Sequence, residues 1–125
     1  MKYTKEEFLK QMAKEQQFYD HSLRAKILKY DSYMLSRYFF HLRMVEYHEL
    51  TPHLWNKLIV GWHKYRMRHY GRIMGIQFHP HTIDFGIKLY HWGWMIVNSK
   101  AKIGKDLTIY PGVAVGRTED GVPTI

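Results

Sequence analysis

The sequence predicts a mixed α+β chain, with a helical region over residues 1–75 and a stack of short strands over residues 76–125. Two observations predict it. Between Asp31 and Tyr70 apolar residues recur at intervals of three and four, the spacing of one helix face. From Ile83 onward they fall instead on a grid of six. Val97, Ile103, Ile109 and Val115 are each six apart, and Leu89 and Ile83 continue the grid upstream after a two-residue offset at His91-Trp92-Gly93. A helix repeats near 3.6 residues and a strand at 2, so a period of six fits neither alone. It fits a strand and turn repeated as a stack, each aliphatic side chain pointing into a shared core. Gly104 follows Ile103 and Gly116 follows Val115, and glycine suits the tight corners of such a stack.

The helical elements follow in order. Thr4-Lys5-Glu6-Glu7 is a capping box, a hydroxyl followed three residues later by a carboxylate, and it opens a helix to about residue 18 with Phe8, Leu9 and Met12 as its apolar stripe. Asp20 or Ser22 caps a second, with Leu23, Ile27 and Leu28 on one face. Asp31-Ser32 opens a third. Its inner stripe is Leu35, Tyr38, Phe39, Leu42 and Val45, with Arg37, Arg43 and Glu46 largely off it. Thr51-Pro52 starts the fourth, since proline at the first helical position loses no needed hydrogen bond. Leu54, Trp55, Leu58, Ile59, Trp62 and Tyr65 form its expected core face, Lys57, His63, Lys64, Arg66, Arg68 and Arg72 its outer one, and Gly71 and Gly75 its end. Ile76 to His91 reads as an irregular first coil of the stack. Arg117-Thr118-Glu119-Asp120-Gly121 reads as a loop thrown out from it, with Ile125 rejoining the grid four residues late. An open coil edge at Ile125 predicts a fragment of a longer protein or an edge covered by something else.

Composition narrows the class. A length of 125 residues is one domain's worth. No window approaches the roughly 18 apolar residues of a membrane span. The acidic residues of MKYTKEEFLKQMAKE exclude a secretory signal. Zero cysteines exclude a disulfide framework, thiol catalysis and thiolate zinc, and fit a cytoplasmic protein. The net charge of +8 belongs to the helical half, where the first 72 residues carry 14 Lys/Arg against 7 Asp/Glu. Such a basic face attracts nucleic acid, anionic lipid or a phosphorylated ligand, and an ordinary solvated helix surface has the same composition.

The stretch YHWGWMIVNSKAKIGKDLTIYPGVAVG, with HPHTIDFG upstream and helices before it, resembles the hexapeptide-repeat acyltransferases, in particular the branch related to serine acetyltransferase. The resemblance covers residues 76–125 and implies an N-terminal α-helical region followed by the start of a left-handed parallel β-helix. It implies a homotrimer with active sites between subunits, and acetyl-CoA as co-substrate. It also implies a catalytic role for His91, the histidine at the grid offset that precedes Trp92-Gly93. That histidine would take the proton from an acceptor hydroxyl as its oxygen attacks the thioester carbonyl. Gly116 and Arg117 lie where the family's cofactor runs between coils, and Arg117 would meet the CoA phosphates.

Three departures bear on the acceptor. Tyr90 stands where the family has an aspartate directly before the histidine. Gln77 stands where a second aspartate precedes the His79-Pro80 pair. Val122 stands before Pro123, where a further histidine belongs. Asp84 is the carboxylate left nearby, as an orienter of His91 or as a turn residue. The missing carboxylates move the expectation from serine toward sugar hydroxyls of a polysaccharide precursor, with His79 and Trp92 as substrate contacts. Trp92, Trp94 and Trp62 suit a sugar-stacking surface, although packing between the two halves is the simpler role for Trp62. His79-Pro80-His81 and His91 raise a metal site, but Pro80 breaks the strand and no fixed-spacing acidic or cysteine ligand accompanies them, so none is expected. Serine O-acetylation proper remains the alternative acceptor chemistry. A basic helical binding module and a catalytically silent assembly fragment are alternatives of another class. A DNA-reading helix–turn–helix over residues 32–71 would need its last helix to project from the core, which the broad apolar face argues against, so no nucleic-acid partner is expected.

Overall fold

A computed structural model describes residues 3–50, 54–91, 93–116 and 125. It is mixed α+β: four helices, then five short parallel strands. The helices are α1 (Lys5–Gln16), α2 (Leu23–Leu28), α3 (Asp31–Leu50) and α4 (Asn56–Met74). The strands are β1 (Ile76–Gln77), β2 (Lys88–Leu89), β3 (Met95–Val97), β4 (Thr108–Ile109) and β5 (Val113–Val115). Among the described residues no helix is long and apolar enough to cross a membrane.

The first two helices begin where their caps place them. Thr4 Oγ1 accepts from the Glu7 backbone N–H at 3.1 Å, and Ser22 Oγ accepts from that of Ala25 at 3.2 Å. Phe8 and Met12 are buried on α1 while Leu9 is exposed, so the inner stripe is narrower than expected. On α2 the expectation is reversed. Leu23, Ile27 and Leu28 face solvent, and Ala25 is the residue buried. A helix of six residues makes under two turns, and this one docks through its smallest side chain.

α3 is the central helix. Leu35, Tyr38, Phe39, Leu42 and Val45 are all buried, as their spacing predicts. Arg43 and Glu46, expected off the stripe, are buried too. The reason is long-range. Arg43 donates to both carboxylate oxygens of Glu15 on α1, to Glu46 Oε1, and to the carbonyls of Ile83 and Asp84, so its five N–H groups all have partners. Glu15 and Glu46 in turn accept from the backbone N–H groups of Gly86 and His81. This network ties α1 and α3 to the first coil.

α4 corrects the sequence reading most sharply. Its core face is Met67, Tyr70, Gly71 and Met74, spaced at three and four. Leu54, Trp55, Leu58, Trp62 and Tyr65 point the other way and are exposed, so Trp62 does not pack between the two halves. Gly71 lies inside the helix instead of ending it. A side-chain carbon there would sit 2.8 Å from the Ile76 carbonyl oxygen and 3.0 Å from the Tyr38 ring, so the glycine lets α4 approach both α3 and β1. Gly75 does end the helix, in the left-handed conformation with φ 73°. The expected start at Thr51-Pro52 lies outside the described residues.

The strands pair in parallel in two sets, β1-β3-β5 and β2-β4, with a separate parallel bridge between Ile83 and Ile103. The registers explain the grid. Val97 faces Val115, three six-residue steps on. Leu89 faces Ile109 and Ile83 faces Ile103, three steps plus the two-residue offset. All six grid residues are buried. Ile125 rejoins the stack beside this bridge: its N–H donates to Lys102 O and its carbonyl accepts from Gly104 N–H. The positive-φ residues of the stack, however, are His81, Gly86, Asp106 and Gly112, not Gly104 and Gly116.

One continuous core joins the halves, from Tyr19, Leu35, Tyr38 and Met74 to Ile87, Val97, Ile109 and Val115. Two phenols anchor the junction. Tyr19 OH donates to Ile87 O at 2.9 Å, and Tyr38 Oη accepts from Phe78 N–H at 2.8 Å.

Candidate functional site

His91 stands at the corner between β2 and β3, largely exposed, and its Nδ1 lies 3.9 Å from Oδ2 of Asp31, the first residue of α3. The carboxylate beside His91 therefore comes from the helical half. Asp84 sits elsewhere in the network. Its Oδ1 accepts from Tyr3 OH at 2.6 Å and from the Phe85 backbone N–H at 2.8 Å, the turn-stabilising role. Asp31 escaped the sequence reading because it served there as a helix opener. Its distance from His91 along the chain gave no cue.

Exposed aromatics surround this corner. Tyr90 stacks on Tyr110 of the next coil with ring centroids 6.4 Å apart, and Phe18 meets Tyr90 edge-on at 5.3 Å. Tyr90, Tyr110 and Trp94 are each more than half exposed. Tyr90, next to the histidine in the chain, and Tyr110 form a stacked, exposed pair. Gly93 helps shape this corner, because a side chain there would strike the Pro111 ring at 2.6 Å. Trp92 and Arg117 lie outside the described residues. Gly116 is exposed, with open space where a side chain would begin.

His79 belongs to a different place. It lines a cleft of about 690 Å³ between α4 and the first coil, with Lys64, Arg68 and Arg72 on the helix side and Gln77, His81 and Ser99 opposite. At its rim His81 Nε2 lies 3.1 Å from Glu49 Oε2. His91 is not among the residues lining this cleft, so the structure does not bring His79 and His91 into one cavity.

A third histidine group was not anticipated. His41 Nδ1 and His63 Nδ1 are 2.8 Å apart across the α3–α4 interface, and His48 stacks on His63 with centroids 5.8 Å apart. At that distance one imidazole donates and the other accepts, so the pair cannot hold a proton on both facing nitrogens. Burial, reinforced by the charges of Arg37, His63 and Arg66, pushes His41 down to about 3. Burial also lowers His63, with His48 and Arg37 adding to it. Among the described residues no group of three or more His, Cys, Asp or Glu is placed to hold a metal ion.

No protein-family model, curated protein or solved structure compared with the chain matches it.

Proposed function

We propose that the chain is an acetyl-CoA-dependent O-acetyltransferase built on the first coils of a left-handed parallel β-helix, with a sugar hydroxyl as acceptor. The observation that carries this reading is the exposed His91 at the break in the six-residue grid, with the Asp31 carboxylate 3.9 Å from its Nδ1. At 3.9 Å the contact is longer than a hydrogen bond, so Asp31 would close on Nδ1 in the substrate complex to hold the tautomer whose Nε2 accepts the proton. His91 takes the acceptor hydroxyl's proton as that oxygen attacks the thioester carbonyl. The carbon–sulfur bond then breaks, and the proton passes to the departing CoA sulfur. No acyl-enzyme is formed, so catalysis rests on positioning and on stabilising the thioester oxyanion.

The acceptor class follows from the aromatic pair. The exposed, stacked Tyr90–Tyr110 pair offers an apolar surface for a sugar ring near the base. Tyr90 also replaces the family's aspartate, a group suited to an amino-acid acceptor. Active sites between subunits of a homotrimer accord with a base that one chain alone leaves open to solvent. The use of acetyl-CoA supports a cytoplasmic reaction as part of this reading. The test is incubation of the purified chain with acetyl-CoA and a panel of monosaccharides, nucleotide sugars and serine, reading acetylated product by mass spectrometry. Transfer to a sugar with little to serine is expected. Transfer to serine alone would restore the amino-acid acceptor, and transfer to nothing would overturn the reading.

A further inference from the structure

The outer face of α4 is an exposed apolar surface of the helical half. Leu58, Trp62 and Tyr65 line it, with Leu54 and Trp55 just before the helix start, and Leu58 is 68% exposed and Trp62 57%. At 100° per residue Leu58, Trp62 and Tyr65 fall on one side of the helix, opposite Met67, Tyr70, Gly71 and Met74, which enter the core. The helix is cationic along its length. It carries five Lys/Arg and no Asp or Glu. The same projection puts Lys57, Lys64, Arg68 and Arg72 along one flank of the apolar strip and Arg66 along the other, its guanidinium 5.9 Å over the Trp62 ring.

We infer that this face docks the protein on an anionic membrane surface, with α4 lying in the interfacial plane. Charge decides the occupant. A second copy of the same face would bring Lys and Arg against Lys and Arg, with no acid on α4 to pair them. Nucleic acid would satisfy the cations and leave Leu54 and Leu58 against a polar groove. An anionic bilayer satisfies both parts. Leucine, tryptophan and tyrosine enter the region between headgroups and acyl chains, where aromatic rings are favoured, and the flanking cations meet phosphates. Nineteen helical residues give a contact about 28 Å long. The inference rests on α4 alone and does not depend on the acetyl-transfer reading.

The test is co-sedimentation of the whole chain with vesicles of phosphatidylcholine, or of equal parts phosphatidylcholine and phosphatidylglycerol. The Leu58→Glu/Trp62→Glu and Lys57→Gln/Lys64→Gln/Arg68→Gln variants are run beside it, and circular dichroism and thermal melts confirm their folding. Binding is expected to the anionic vesicles, weakening with salt, with a blue shift of tryptophan fluorescence. Each variant should lose roughly tenfold or more in affinity, the first through apolar burial and the second through charge. Failure to bind anionic vesicles, or binding that neither variant weakens, overturns the inference. So does a dimer in light scattering that Leu58→Glu dissolves while vesicles recover none of the wild type, which would make the face a contact between copies.

Discussion

The Arg43 guanidinium donates to both carboxylate oxygens of Glu15, Nε to Oε1 at 3.0 Å and Nη2 to Oε2 at 2.8 Å, with both side chains fully buried. Glu15 lies on α1 and Arg43 on α3, and the remaining N–H groups of Arg43 reach Glu46 and the carbonyls of Ile83 and Asp84. Burial alone would push the guanidinium down. The Glu15 and Glu46 carboxylates outweigh it and hold the pKa above its ordinary value. Together with the Tyr19 and Tyr38 phenols, this residue registers the first coil on the helices.

Removing one partner leaves a buried charge without compensation. Arg43→Met is therefore expected to cost about 3–5 kcal/mol in urea denaturation, because Glu15 and Glu46 remain behind. The triple variant Arg43→Met/Glu15→Leu/Glu46→Leu should recover much of that loss. Equal stabilities for the single variant and wild type would show that the network carries no weight.

Acid should loosen the α3–α4 contact. His41 has an unfolded value near 6.5 and is pushed down to about 3 in the fold, so the unfolded chain binds the extra proton. Its contribution is complete above pH 6.5 and is lost as pH falls toward 3. The melting temperature should drop across that window, and less steeply in His41→Leu. Parallel pH profiles for the two proteins would contradict the assignment.

Gly71→Ala adds one carbon 2.8 Å from the Ile76 carbonyl and 3.0 Å from Tyr38. Helix propensity alone favours alanine by about 1 kcal/mol. Backbone oxygen yields poorly, so overpacking of about 1–3 kcal/mol should prevail and the variant should melt lower. A higher melting temperature would mean that the helix shifts freely.

The aromatic pair should act on acceptor binding. Tyr110→Ala removes one of two stacked rings and leaves His91 and Asp31 in place. The acceptor KM is expected to rise roughly fivefold, as ring stacking contributes about 1 kcal/mol. The KM for acetyl-CoA should hold steady. A loss confined to kcat would place the acceptor elsewhere.

What the sequence disclosed follows from the range of the forces involved. The six-residue grid was legible because each coil repeats the same backbone path, so Ile83, Leu89, Val97, Ile103, Ile109 and Val115 all reach one core. The caps at Thr4 and Ser22 were legible because they act within one turn. The facing of α4 was not. Both its sides carry apolar residues, and the choice between them was made by a glycine that fits against Tyr38 and Ile76. Arg43 looked like surface because its partners lie on α1 and in the first coil. Asp31 looked like a helix opener, and only folding carries it to His91.

The central claim is that His91 is the base of acetyl transfer and Asp31 its orienter. Thiol release from acetyl-CoA, followed with the acceptor that the panel identifies, tests it in wild type, His91→Ala and Asp31→Asn. The account predicts a fall in kcat of about 10²–10⁴ for His91→Ala, the usual contribution of a general base, and a smaller fall for Asp31→Asn. Equal thioester consumption by wild type and His91→Ala would contradict it.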